Sequence, residues 1–262
     1  MTIIQRGRHL YIRWWEKFWA NFSATEFKEY THKTHRMSAI PKRFPKELAD
    51  AMSEDMRSCG IYYWADEANV RKGRAMIIGP SGTPYEYCPL FFGFEFPADY
   101  PFTSPTVLFL TSDGTTRFHP NLYVAGKVCL SILGTWQGPK WSAALTISTV
   151  LKTIQSLLEP NPIVNEPGWE SITLENKRAK DYADFIRFRL IALSYTNLQM
   201  WKKGAAPHDY TFFDDVLQER GDELIKKLGD IIREEAEKED VAYTNIPYGL
   251  SGKAEWKRLA AS

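Results

Sequence analysis

The spacing of apolar residues divides the chain into stretches of different period. Near the N-terminus Tyr11, Trp14, Trp15, Phe18, Trp19 and Phe22 recur at helical steps, while Arg13, Glu16, Lys17 and Asn21 fall off that face, which predicts an amphipathic helix. Pro41 marks its boundary. A second helix is expected over Pro45 to Arg57, with Leu48, Ala49, Met52 and Met56 on one side. Short apolar runs follow at Ile61 to Asp66, Arg74 to Ile78, Leu90 to Phe96 and Thr106 to Leu110, separated by turn chemistry such as Gly79-Pro80 and Ser81-Gly82-Thr83-Pro84. These read as four strands of an antiparallel meander. Pro97 to Pro105 is too rich in proline for a central strand and reads as a rigid loop. Leu145 to Leu158 returns to helical spacing and stops at Glu159-Pro160. Beyond it, Glu175 to Trp201 carries Ala179, Tyr182, Ala183, Ile186, Leu190 and Leu193 on one stripe, broken by Gly204 and Pro207. Thr211 with Asp214 three residues on reads as a cap for a further stripe from Phe213 to Ile232, with Gly221 its weak point. The tail from Val241 is polar and aromatic and is expected to be ordered only where it docks. The class is therefore α+β, with three regions: a basic aromatic helical leader at 1–41, a core at 42–170 and a helical C-terminal extension at 171–262.

Charge sharpens this division. The 262 residues carry a net +1, but residues 1–43 hold nine Lys/Arg against three Asp/Glu, residues 44–169 nine against twelve, and residues 170–262 fifteen against seventeen. The basic leader either docks on the body of the protein, the preferred reading, or meets a partner or a membrane surface. His9, His32 and His35 in it are read as solvated rather than as metal ligands. Without a base-reading motif, nucleic acid is not an expected partner. Three cysteines (Cys59, Cys88, Cys129) with no C-x-x-C pair argue against a disulfide framework and against a zinc site. They suit a reducing compartment, cytoplasmic or nuclear. The charged first twenty residues are no signal peptide, and no apolar run approaches the ~20 residues of a membrane span.

The candidate chemistry sits in Phe118 to Leu133. His119-Pro120-Asn121 predicts a rigid turn, because Pro120 fixes its own φ and biases His119 away from helix. Gly126 permits a second bend. Cys129 follows within an apolar segment, eight residues after Asn121. A cysteine can carry an acyl group as a thioester, and a carboxamide can donate to the oxyanion formed when that thioester is attacked.

His-Pro-Asn with a Cys-Leu at this distance resembles the active-site signature of the ubiquitin-conjugating enzymes. Further pieces agree in order: Pro97-Ala98-Asp99-Tyr100-Pro101-Phe102 with Pro105, Trp141-Ser142 with Ala144-Leu145-Thr146-Ile147, and Asn161-Pro162. The resemblance covers roughly Lys42 to Glu170. The sequence departs from the common pattern at Ser131, where an Asp is usual, and at Ala143, where a Pro is usual. It also has a lengthened Gly134-Thr135-Trp136-Gln137-Gly138-Pro139-Lys140 loop. With Asn165-Glu166-Pro167-Gly168, these features are similar to a divergent branch that includes ubiquitin-conjugating enzyme Z and the conjugating domain of the giant inhibitor-of-apoptosis proteins.

The resemblance implies the conjugating-enzyme fold and an acyltransferase. Cys129 would accept ubiquitin, or a ubiquitin-like modifier, from an activating enzyme and pass it to a substrate lysine, usually with a ligase. Asn121 would hold the loop and the oxyanion, and His119 would be structural. Ser131, Asn165 and Glu166 are the supporting or gate residues, either of the last two being able to position the incoming amine. Lys42, Arg43 and Lys46 match the placement of activating-enzyme contacts. Phe102, Ala143 and Ala144 match that of ligase contacts, with standard ligases put in doubt by Ala143. No cofactor or metal is implied, because ATP is spent by the activating enzyme. A cysteine hydrolase would need a histidine beside Cys129, and a C-x5-R phosphatase is excluded by Thr135. The strongest rival is a non-catalytic ubiquitin-binding scaffold of the same fold, whose members lack the cysteine.

Overall fold

The structure, a computed structural model, describes residues 42–205 and 207–261. The leader stripe from Tyr11 to Phe22 and the three leader histidines lie outside the described residues. Residues 43–262 form one compact unit.

Helix α1 (Phe44–Ala51) starts on Pro45, whose missing N–H costs nothing in a first turn. The single helix expected over Pro45 to Arg57 is two, with α2 at Glu54–Ser58. Ser53 makes the break: its backbone is extended and its hydroxyl accepts from the Met56 N–H at 3.4 Å. A serine at that point caps a new helix in preference to continuing the old one. Strands β1 (Ile61–Ala65), β2 (Lys72–Ile78), β3 (Pro89–Glu95) and β4 (Thr106–Phe109) then form an antiparallel meander in chain order. Tyr63 pairs with Ala75, Met76 with Phe91, and Phe92 with Phe109.

Both faces of this sheet are covered, so the central strands read as apolar runs rather than alternations. On one face Tyr63, Phe94, Phe92 and Phe109 join a ring cluster that continues through Phe96 to Phe44 of α1 and Tyr100. The other face carries Tyr62, Trp64, Arg74 and Phe91, and is covered by the C-terminal extension. Trp64 lies 4.5 Å from the Phe212 ring, Phe91 4.6 Å from Tyr210, and Arg220 donates to the Tyr62 hydroxyl at 2.8 Å. Helix α3 (Ile147–Ser156) buries Ile147, Val150, Leu151 and Ile154.

The extension begins with α4 (Lys177–Lys202), capped by the Asn176 side chain on the Arg178 and Ala179 N–H groups. It is fastened to the core by Arg189, which donates to Asp113 at 2.6 and 2.9 Å. Burial acts to raise the Asp113 pKa, but hydrogen bonds from Thr116, Thr115 and Arg189 outweigh it and bring it down to about 2. Short α5 (His208–Thr211) and long α6 (Asp214–Ala236) follow. Thr211 is not the expected cap: it ends α5 and donates to the His208 carbonyl at 2.6 Å, while Phe213 precedes α6 without a side-chain cap. The tail has its own structure. Strands β5 (Val241–Ile246) and β6 (Leu250–Ala254) pair as a hairpin around a 3₁₀ turn at Pro247–Gly249, and α7 (Trp256–Ala260) closes the chain. Tyr243, Tyr248 and Trp256 dock on Phe185, Tyr182 and Phe188 of α4.

Gly221 is a contact point rather than a weak point. A Cβ there would come within 2.7 Å of the Trp201 ring, so the glycine lets α4 and α6 approach closely. Gly→Ala inside a helix ordinarily gains roughly 1 kcal/mol. Gly221→Ala is expected instead to lower stability by about 1–3 kcal/mol through overpacking, read by urea or thermal unfolding.

Candidate active site

The loop from Arg117 to Thr135 has almost no regular structure, so its buried polar groups need other partners. Tyr182 of α4 donates to the Arg117 carbonyl and Tyr85 to the Phe118 carbonyl, each at 2.8 Å. His119 is fully buried, and its Nδ1 accepts from the Asn121 N–H at 2.9 Å. The Leu122 N–H closes the turn onto the His119 carbonyl at 3.0 Å. At Gly126 the backbone is left-handed (φ 88°), the second bend expected there.

Asn121 clasps Cys129 from both ends of its peptide unit. The Cys129 N–H donates to the Asn121 carbonyl at 2.8 Å, and Asn121 Nδ2 donates to the Cys129 carbonyl at 2.7 Å. A carboxamide nitrogen carries two protons, and this contact uses one. Thr135, from the lengthened loop, completes the frame. Its hydroxyl donates to the Val128 carbonyl at 2.7 Å and accepts from the Leu130 N–H at 2.9 Å. Cys129 itself is only 2% exposed.

Ser131 opens the 3₁₀ turn Ser131–Leu133 and is half-buried. The lengthened loop folds back on it: Gly138 (φ 125°) would place a Cβ 3.0 Å from that of Ser131. Trp136 stands exposed on this loop. The two gate candidates differ. Asn165 turns inward, donating to Glu159 Oε1 at 2.7 Å. Glu166 instead accepts from the Tyr248 hydroxyl of the C-terminal hairpin at 2.7 Å. The Arg117 guanidinium lies 3.8 Å from the Tyr123 ring centroid and 4.3 Å from that of Tyr248, and donates to the Pro120 carbonyl. Nothing local in the sequence marks Arg117 or Tyr248, apart from the turn chemistry of Pro247-Tyr248-Gly249.

The ligase-contact candidates lie on two loops tied by Trp141, whose Nε1 donates to the Pro101 carbonyl at 2.7 Å. Phe102 is 81% exposed, Ala144 is exposed and Ala143 half-buried. Of the three basic candidates, Lys42 and Lys46 are exposed. Arg43 is turned inward onto Glu47 and the Ala143 and Leu145 carbonyls. Buried Glu47 also receives the Tyr100 hydroxyl and the Ile147 N–H, so one carboxylate joins α1, both loops and the start of α3. Among the described residues no cluster of His, Cys, Asp and Glu could hold a metal ion, and no helix is long and apolar enough to cross a membrane.

Burial lowers the His119 pKa to about 3; the Leu157 backbone favours its protonated form but is outweighed. The ring is thus neutral near pH 7 with its Nδ1 already accepting from Asn121, which suits a structural member better than a general base. Because the folded value lies below the ordinary 6.5, its contribution is fully present above pH 6.5 and is lost as pH falls toward 3. His119→Gln is expected to flatten the acid limb of the stability–pH curve, measured by urea unfolding between pH 7 and pH 4.

Comparison with known proteins adds to this geometry. Residues 43–187 match the family model described as "Ubiquitin-conjugating enzyme". The chain is similar to ubiquitin-conjugating enzyme E2 Z of Homo sapiens, at 44% identity over 144 residues, 55% of this chain and 40% of that protein. The Xenopus tropicalis protein of the same name is 46% identical over 136 residues, 52% of this chain and 43% of that one. A solved Toxoplasma gondii ubiquitin-conjugating E2 domain is 30% identical, covering 59% of this chain and 95% of that one, with a TM-score of 0.43. The chain thus spans less than half the length of these curated relatives.

Proposed function

Because the chain belongs to the ubiquitin-conjugating enzyme family, we propose that Cys129 accepts ubiquitin or a ubiquitin-like modifier as a thioester and passes it to a lysine amine. The observation that carries this reading is the two-ended Asn121 clasp, which puts a thiol and a carboxamide donor in one buried loop. In the first step the Cys129 thiolate attacks the modifier's C-terminal thioester on the activating enzyme, and that enzyme's thiolate leaves. In the second, a lysine nitrogen attacks the Cys129 thioester, an amide bond forms and the Cys129 thiolate leaves. Each step passes through an oxyanion, to which the second Asn121 amide proton is the proposed donor. A free thiol titrates near pH 8.5 and a lysine near 10.4, so the amine, more than the thiol, needs help losing its proton. Glu166 is the carboxylate offered for that task. ATP is consumed by the activating enzyme rather than by this chain. Phe102, with Ala143 and Ala144, forms the ligase-facing surface; Lys42 and Lys46 face the activating enzyme.

A second reading draws on the burial of Cys129: the chain binds a modifier without being charged. The two separate on a non-reducing gel after incubation with ubiquitin, ATP and a panel of activating enzymes. A ubiquitin-sized shift that thiol reverses and Cys129→Ala abolishes is the expected result; no shift with any activating enzyme or modifier supports the scaffold. In the charged enzyme, Asn121→Ala is expected to slow discharge to lysine by about 10²-fold, the usual cost of one oxyanion donor.

A further inference from the structure

We propose that Tyr248, on the turn of the C-terminal hairpin, is a positioning residue for lysine transfer, and that it acts by tying the Glu166 carboxylate, through Arg117, to the Asn121–Cys129 loop. This rests on the thioester-transfer reading above. Glu166 closes a 3₁₀ turn, and its backbone is anchored at both ends: its N–H donates to the Ile163 carbonyl and its carbonyl accepts from the Trp169 N–H, each at 2.9 Å. The carboxylate beyond that backbone is held by the Tyr248 hydroxyl at 2.7 Å.

Tyr248 is itself held firmly. It adopts a left-handed backbone (φ 65°, ψ 20°), a conformation that costs a residue with a side chain about 1–2 kcal/mol and persists only where its surroundings require it. Those surroundings are the Arg117 guanidinium at 4.3 Å and the Tyr182 ring at 5.5 Å. Burial and the neighbouring Glu166 carboxylate both push the Tyr248 pKa up, so the phenol keeps its proton and remains a donor. The connection to the thiol loop runs through Arg117. Arg117 donates to the carbonyl of Pro120, the residue before Asn121, and Asn121 clasps Cys129. A tyrosine 82 residues from Glu166 therefore joins the carboxylate to the turn that frames the nucleophile. A carboxylate aimed in this way can orient an incoming ammonium group and receive its proton. It has little to offer thioester exchange, where no amine takes part.

The test is single-turnover discharge of the 262-residue chain charged with ubiquitin, with free lysine and with hydroxylamine, an amine already neutral at pH 7. Tyr248→Phe keeps the ring on Arg117 and removes only the hydroxyl. Charging and hydroxylamine discharge are expected to be unchanged, and lysine discharge to fall by about tenfold. Glu166→Gln is expected to slow lysine discharge by about 10²-fold, and the double variant to be no slower than Glu166→Gln alone. Lysine discharge unaffected by Tyr248→Phe would overturn the proposal, as would equal losses with both amines or additive losses in the double variant. A wild-type protein that never charges fails at the earlier step, before any variant is compared, and removes the transfer reading together with this one.

Discussion

A nucleophile set in an irregular loop is held only if the loop's buried backbone groups find partners that no helix or strand supplies. Between Arg117 and Thr135 short backbone turns meet part of this need, and side chains meet the rest: two tyrosine hydroxyls, the His119 ring, the Asn121 amide, the Thr135 hydroxyl and the Arg117 guanidinium. Each satisfies a carbonyl or N–H that would otherwise cost about 1–3 kcal/mol when buried. The same residues that stabilise the loop therefore define where the thiol and its neighbouring carboxamide stand. Burial keeps the His119 ring neutral, and its Nδ1 accepts from the Asn121 N–H within the same turn.

The C-terminal extension takes part in this frame. One of the two tyrosines, Tyr182, comes from α4, and the hairpin turn behind it brings Tyr248 onto Arg117 and Glu166. The extension also covers the sheet face that carries Tyr62, Trp64, Arg74 and Phe91. That explains why β3 is apolar along almost its whole length: it is buried on both sides. The contacts at the sheet and at the loop are of different kinds. Aromatic burial dominates over the sheet, whereas directed hydrogen bonds and one stacked guanidinium dominate near the thiol.

On the opposite side, Glu47 plays a comparable part for the surface that carries Phe102. It gathers Arg43, the Tyr100 hydroxyl and the Ile147 N–H around one buried carboxylate. Arg43 continues to the carbonyls of Ala143 and Leu145. The loop in which Ala143 stands where a proline is usual is thereby pinned from α1, and the Trp141 bond to Pro101 ties it to the loop bearing Phe102.

Period and punctuation in the chain were enough for the four-strand meander, the helices over Ile147–Ser156 and Lys177–Lys202, and the rigid His-Pro-Asn turn. Each depends on neighbours close in sequence, on the φ of proline, or on a face repeated every 2 or 3.6 residues. The motif spacing likewise put Asn121 and Cys129 in one loop, where hydrogen bonds join them. Where local signals competed, the sequence was ambiguous: Ser53 restarted a helix that apolar spacing would have continued, and Thr211 bonded within a short helix instead of capping the next. The tail from Val241 was not legible as a hairpin, because its pairing follows from docking along α4. Nor could the chain show that Glu166 bonds to Tyr248, or that Arg43 points inward. Those outcomes depend on side chains brought together across 82 residues in one case and 100 in the other. Hydrogen-bond geometry at such separations is decided by how the elements pack, and no local pattern encodes it.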